Sequence, residues 1–246
     1  FVIVVGKGGV GKSTIASTLG CLAAKSGQRT VIAEFSDTAS IPRLFGHEGG
    51  GYAPRMLAKN LYAVCIRPEP ALQEYALRKL PFESIYRLVF ENNAVRRLLK
   101  AIPGLTELLV LGKAFDLERE RNVHGQPAWD TVIVDAPSTG HGVNLFRLPQ
   151  VLLELVHKGP LADEARSMRS LLQDNKRTIV HVVTIPEELP TQETLELTEA
   201  MEETLQMPLG TLFINRVCPR RADPVANASI DKLRSHSGIH PDLDRA

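Results

Sequence analysis

The chain reads as an α/β protein with a mostly parallel sheet covered by helices on both faces. Three observations predict this: short β-branched runs alternate with segments of helical spacing, the runs are apolar throughout, and the first opens into a glycine-rich turn followed by a helix. A strand with one wet face alternates apolar and polar residues, so a continuously apolar strand must be covered on both sides.

Phe1 to Val5 is the first such run, and Ile15, Leu19, Leu22 and Ala23 follow it at the spacing of one helix face. A second strand, Thr30 to Phe35, is closed by the polar stretch Ser36 to Ser40, and a third is predicted at Leu61 to Ile66. From about 69 to 121 the pattern is that of a helical subregion, with breaks at Pro81 and at Pro103-Gly104. Thr131 to Val134 is an apolar strand ending in Asp135, and a short helical segment is expected over about 144–175, beginning with a helix from Asn144 to Val156. Thr178 to Val183 and Leu209 to Ile214 are two more buried strands, separated by a helix carrying Leu197, Ala200, Met201 and Leu205. Without internal repeats or long linkers, residues 1–246 read as one domain.

Composition narrows the class of protein. Hydrophobic residues make up 43% and charged residues 23%, enough apolar material for a sheet buried on both faces. With 29 basic and 28 acidic residues the net charge is +1, so no global field draws the chain to nucleic acid or to an anionic membrane, and neither is expected as a partner. Cys21, Cys65 and Cys218 are widely spaced and form no CxxC pair, which points to free thiols and a cytoplasmic location. No apolar run approaches the ~20 residues of a spanning helix, so stable membrane insertion is not expected.

The chemistry begins after the first strand. Gly6-Lys7-Gly8-Gly9-Val10-Gly11-Lys12-Ser13 fits the pattern GxxxxGK[ST] between a strand and a helix, and Thr14 continues into that helix. Glycines let successive backbone N–H groups converge on phosphate oxygens, and the helix adds the positive end of its dipole. Lys12 is placed to meet the β- and γ-phosphates, and Ser13 to ligate Mg²⁺. Asp135, a carboxylate at the carboxyl end of an apolar strand, sits where such sheets present their ligands and completes the Mg²⁺ site. An α/β P-loop NTPase fold binding ATP and Mg²⁺ follows.

The extra Lys7 makes the loop resemble the deviant Walker A family that includes MinD, ParA, nitrogenase iron protein and the ArsA/Get ATPases. That resemblance implies a dimer in which Lys7 reaches the nucleotide of the facing subunit, supplying positive charge where it develops in phosphoryl transfer. Asp135-Ala136-Pro137-Ser138-Thr139-Gly140-His141, with Leu148-Pro149 beyond, is similar to the ArsA/Get switch II, whereas MinD and ParA relatives usually show D-x-P-A-G. Ile102-Pro103-Gly104-Leu105 before an apolar helix agrees with that branch. So does Leu212-Phe213-Ile214-Asn215-Arg216, which resembles an adenine-binding strand end where the Asn215 amide can pair with the base, Arg216 beside it.

The chain also departs from the family. Relatives carry Asp-Pro-Ala after the second strand, but here the sequence is Glu34-Phe35-Ser36-Asp37-Thr38-Ala39-Ser40, which puts Ser36 at the aspartate position and Asp37 one residue late. Asp37 is the expected water-orienting carboxylate and Glu34 its rival. There are four methionines, few for a groove holding an apolar client, and the segment His157 to Arg177 is short and polar apart from a stripe at Leu161, Ala165, Met168 and Leu172. The stripe reads as the buried side of a surface helix.

The resulting expectation is an ArsA/Get-like ATPase, homodimeric or paired with a paralogous ATPase, coupling Mg-ATP binding and hydrolysis to conformational change, with an apolar protein segment as its client. The alternatives are a slow or inactive ATP-binding regulatory subunit, an arsenite or antimonite efflux ATPase, and a MinD/ParA-like positioning ATPase.

Overall fold

The computed structural model describes residues 1–35, 39–79 and 104–218. Asp37 and its neighbours Ser36 and Thr38, and the part of the expected helical subregion over 80–103, lie outside the described residues. The chain divides into two compact units, Phe1–Asn215 and Arg216–Ala246. The first holds the elements that follow.

In chain order these are β1 (Val2–Gly6), α1 (Lys12–Lys25), β2 (Thr30–Glu34), α2 (Ser40–Leu44), β3 (Arg55–Ala58), β4 (Leu61–Cys65), α3 (Pro68–Lys79), α4 (Leu105–Arg119), β5 (Thr131–Asp135), α5 (Thr139–Leu155), α6 (Pro160–Gln173), β6 (Ile179–Thr184), α7 (Glu188–Glu199) and β7 (Leu209–Ile214). A single π-helical turn, Ala200–Thr204, follows α7. The sheet has seven strands in the order β3-β4-β2-β5-β1-β6-β7, all parallel except for β3 against β4. This is the mostly parallel α/β sheet that the apolar strands predict.

Period-two alternation divides the core between the faces of the sheet. Ile3, Val5, Val31, Ala33, Val132 and Val134 point to one face and meet Leu111 and Phe115 of α4, Leu145 and Phe146 of α5 and Met168 and Leu172 of α6. Val4, Ile32 and Ile133 point to the other and meet Ala16 of α1 and Ile41 of α2. Phe115, with no exposed surface, contributes on the order of 2–3 kcal/mol as a fully buried aromatic.

The structure corrects one element bound. α5 begins at Thr139 instead of Asn144, because the apolar residues Val143, Leu145, Phe146 and Leu148 dock on the core and carry helix through Gly140 and Gly142 despite their low propensity. Over 144–175 lie the rest of α5, ending at Leu155, and α6, the surface helix that carries the stripe. Of the stripe on α6, Ala165, Met168 and Leu172 are buried and Leu161 stays 36% exposed.

Candidate functional site

The strand order explains where a site belongs. From β1 the chain moves to β2 on one side, whereas β6 lies against β1 on the other, so a crevice opens at the carboxyl ends of β5, β1 and β6. Register brings the named residues to that rim: Val4 and Glu34 both face Asp135 across the ladder, and Gly6 faces Val183.

The loop after β1 is shaped by its glycines. Gly6 has φ 150°, and a Cβ there would lie 2.2 Å from the carbonyl oxygen of Val183, so only glycine lets the loop leave β1 this close to β6. Gly11 precedes α1 with φ 99° and makes no side-chain cap to it. The first-turn N–H groups of a 14-residue helix are thus left pointing into the loop, which suits an anion.

The polar contacts inside the loop follow. Ser13 Oγ donates to Asp135 Oδ2 at 2.6 Å, joining the start of α1 to the end of β5. Asp135 is 6% exposed, and its other oxygen, Oδ1, is buried without a hydrogen-bond partner among the described residues. Burial pushes the Asp135 carboxyl up to about 6; the Ser13 hydrogen bond and the Lys12 ammonium oppose the rise, and the charge on Glu34 adds to it. Lys12 Nζ donates to the Lys7 carbonyl at 2.9 Å. Burial holds the Lys12 ammonium below the ordinary lysine range, against the pull of Asp135. A hydroxyl and a carboxylate oxygen that has no other partner form the donor set of a hard cation that keeps most of its ligands as water and phosphate, so Ser13 and Asp135 fit Mg²⁺.

Asn215 directly follows β7, where its Nδ2 donates to the Val10 carbonyl at 2.8 Å and its N–H to the Thr184 carbonyl at 2.8 Å. One amide N–H of its side chain thus ties the strand end to the phosphate loop; the second and the carbonyl remain for a base. Arg216, with φ 54°, lies past the end of the first unit.

Glu34 is occupied elsewhere. It is 2% exposed, and its carboxylate accepts the N–H of Ser40 at 2.7 Å, the Ser40 hydroxyl, and the N–H of Ile41 at 3.2 Å. Its role is to fasten the start of α2 to the end of β2. A glutamate ending an apolar strand six residues before a serine was the available signal for such a clamp. Cys65, its neighbour on β4, has its thiol pushed up to about 11 by burial, with Glu34 adding to the shift.

Lys7 pairs within its own chain. Its Nζ lies 2.7 Å from Glu193 Oε1 on α7, with the two side chains 31% and 36% exposed. No spacing in the sequence announces a contact between residues 186 apart. Away from this rim, a cavity of about 500 Å³ opens among α3, α4, α5 and α6, with Leu108, Leu152 and Met168 in its lining and Glu74, Lys113 and Arg119 beside them.

A family model described as anion-transporting ATPase, the ArsA ATPase family, matches residues 1–160. The chain belongs to this family. The ATPase BagA of Mycobacterium tuberculosis is 30% identical over 233 residues, which cover 90% of this chain and 66% of that protein. A putative arsenical pump-driving ATPase of Halobacterium salinarum is 25% identical over 89% of this chain and 36% of its own length. ATPase ASNA1 homolog 1 of Paramecium tetraurelia is 26% identical over 64% of this chain and 46% of its own length. The ArsA-family chain thus spans about two thirds, 66%, of the mycobacterial relatives it matches. The match agrees with the ArsA/Get branch expected from Asp135 and Thr139-Gly140-His141. Among the described residues no helix is long and apolar enough to cross a membrane.

Proposed function

We propose that this chain binds Mg-ATP in the loop Gly6–Thr14 and hydrolyses it as one subunit of a dimer, a homodimer or a heterodimer with a paralogous ATPase, in the cytoplasm. The observation that carries this reading is the Ser13–Asp135 pair at 2.6 Å beside the phosphate loop, with Asp135 Oδ1 buried and unpartnered. Ser13 and Asp135 would hold Mg²⁺, which when bound would supply positive charge for phosphoryl transfer. The chain's own groups do the rest. The amides of Gly8 to Thr14 hold phosphate oxygens, Lys12 leaves the Lys7 carbonyl for the β- and γ-phosphates, Lys7 acts across the dimer, and Asn215 meets the base. Asp37 orients the attacking water.

The cavity among α3, α4, α5 and α6 supports an apolar protein segment as the client, with Leu108, Leu152 and Met168 offering the apolar contact. Arsenite or antimonite is less well served: Cys65 is buried with its thiol held protonated, and the described residues contain no cluster of three or more His, Cys, Asp or Glu suited to a metal ion.

A regulatory subunit is the second reading, favoured by the engagement of Glu34, which leaves Asp37 as the carboxylate to orient water after β2. Single-turnover hydrolysis of Mg-ATP by the purified chain, alone and with its native partners, separates the two. Turnover that falls by orders of magnitude in Asp37→Ala, with binding retained, supports the ATPase. Binding without hydrolysis by the chain alone, with turnover in the complex that Asp37→Ala leaves unchanged, makes this chain the regulatory subunit, and no binding at all refutes both.

A further inference from the structure

Lys7 is the cation that the dimer reading sends across an interface, yet here it rests on Glu193 of its own chain at 2.7 Å. The fold explains the contact: β6 lies beside β1 with Gly6 facing Val183, so the first turns of α7, which follows β6, stand next to the phosphate loop. We propose that Glu193 is a positioning residue, a latch that keeps Lys7 on its own subunit until nucleotide is bound and a second subunit arrives. The proposal rests on the dimeric ATP-binding reading above.

Two features suit a latch. Both side chains keep about a third of their surface, 31% and 36%, so the pair is part-buried yet within reach of water and can open at modest cost. The second is a link to nucleotide. The carbonyl of Lys7 is also the acceptor for Lys12 Nζ at 2.9 Å, so the residue bearing the latched cation is tied to the cation that must turn toward phosphate. When Lys12 takes up a phosphate, the Lys7 carbonyl loses that donor and the backbone carrying Lys7 is released from one of its holds. Nucleotide binding thereby loosens the latch from within the same loop, and the phosphate or acidic surface of a facing subunit competes with Glu193 for the ammonium.

An exposed pair of this kind biases an equilibrium by about 1.4- to 5-fold, and two pairs open per dimer, so the combined effect is roughly 2- to 30-fold. Sedimentation of the full chain with Mg²⁺ and a non-hydrolysable ATP analogue measures it. Glu193→Gln should tighten the ATP-dependent dimer by that factor. Glu196→Gln makes the same charge change one turn along α7, at a residue whose carboxylate accepts from Gln192, and should leave the dimer unchanged. Glu193→Asp should restore most of the wild-type value, and in a Lys7→Ala background Glu193→Gln should have no effect. If wild type pairs with ATP and Glu193→Gln matches Glu196→Gln or pairs more weakly, the latch is overturned while the dimer reading stands. If wild type does not self-associate with the analogue, the self-association reading fails first, and acylation of the Lys7 amine in the nucleotide-free chain decides the contact on its own. There, several-fold faster labelling in Glu193→Gln supports the latch and equal labelling overturns it.

Discussion

Glu34→Ala separates a structural carboxylate from a hydrolytic one. The side chain is 2% exposed and accepts the backbone N–H groups of Ser40 at 2.7 Å and Ile41 at 3.2 Å, and Ile41 itself has no exposed surface. Truncation leaves both donors without this acceptor, that of Ile41 in a place closed to water and that of Ser40 in a half-buried one. The orphaned buried N–H of Ile41 costs about 1–3 kcal/mol and the lost bond to half-buried Ser40 about 0.5–1.5 kcal/mol, a gross loss of about 2–4 kcal/mol. Relief offsets part of this, since a buried negative charge facing Asp135 across the β2–β5 ladder is removed. The net expectation is a destabilisation of about 1–3 kcal/mol, or roughly 2–12 °C in Tm for a chain of this size. Urea unfolding followed by Trp129, the one tryptophan and 7% exposed, reads it directly. Asp37→Ala is the comparison: it should leave the urea midpoint in place and slow single-turnover hydrolysis by orders of magnitude. A loss below about 1 kcal/mol in Glu34→Ala would refute the clamp. So would a hydrolysis defect as deep as that of Asp37→Ala at unchanged stability.

Lys12→Ala should abolish tight Mg-ATP binding by calorimetry, because it removes the cation nearest the phosphates; unchanged affinity in a folded variant removes the phosphate-loop assignment. Gly11→Ala should cut nucleotide affinity and strain the fold, since the new Cβ would lie 2.3 Å from Asn215 Nδ2 at a φ of 99°, and wild-type affinity would show that the loop and strand end move apart freely. The pH dependence of stability belongs to Asp135, whose carboxyl is raised from 3.8 to about 6. The native chain therefore keeps a proton that the unfolded chain has lost between about pH 4 and 6, so nucleotide-free stability falls as pH rises through that window and is level above it. A shift of about two units corresponds to about 3 kcal/mol. Between pH 4 and 7 wild type should lose about that much relative to Asp135→Asn in urea titrations, and a difference that stays flat across the range would refute it.

The sheet was legible because its strands carry their own signature: between their end residues Val2–Gly6, Thr30–Glu34 and Thr131–Asp135 are apolar without alternation, and two-sided burial accounts for that. β3 was not, since Arg55–Ala58 is an edge strand with Arg55, Met56 and Ala58 exposed and no apolar run to mark it. α2 was missed for a related reason. A five-residue helix containing Pro42 has almost no periodicity, and what starts it is the carboxylate of Glu34, six residues upstream. The phosphate loop was legible down to the residue because its function demands glycines and a lysine at fixed offsets. The contacts of Lys7 with Glu193 and of Asn215 with Val10 span 186 and 205 residues, and no local pattern encodes them.

What unites the rim is an unfinished polar network. Asp135 is buried with one oxygen unpartnered, Lys12 is desolvated and rests on a backbone carbonyl, and the first turn of α1 has no side-chain cap. Each of these costs stability in the nucleotide-free chain, and buried polar groups left half satisfied are the kind of local fault that a purely structural loop would not retain. They share one remedy. A polyphosphate with a divalent cation would give Asp135 Oδ1 a partner, draw Lys12 off the Lys7 carbonyl and fill the helix N-terminus together, which is why the Ser13–Asp135 pair carries more of the functional argument than the loop motif alone.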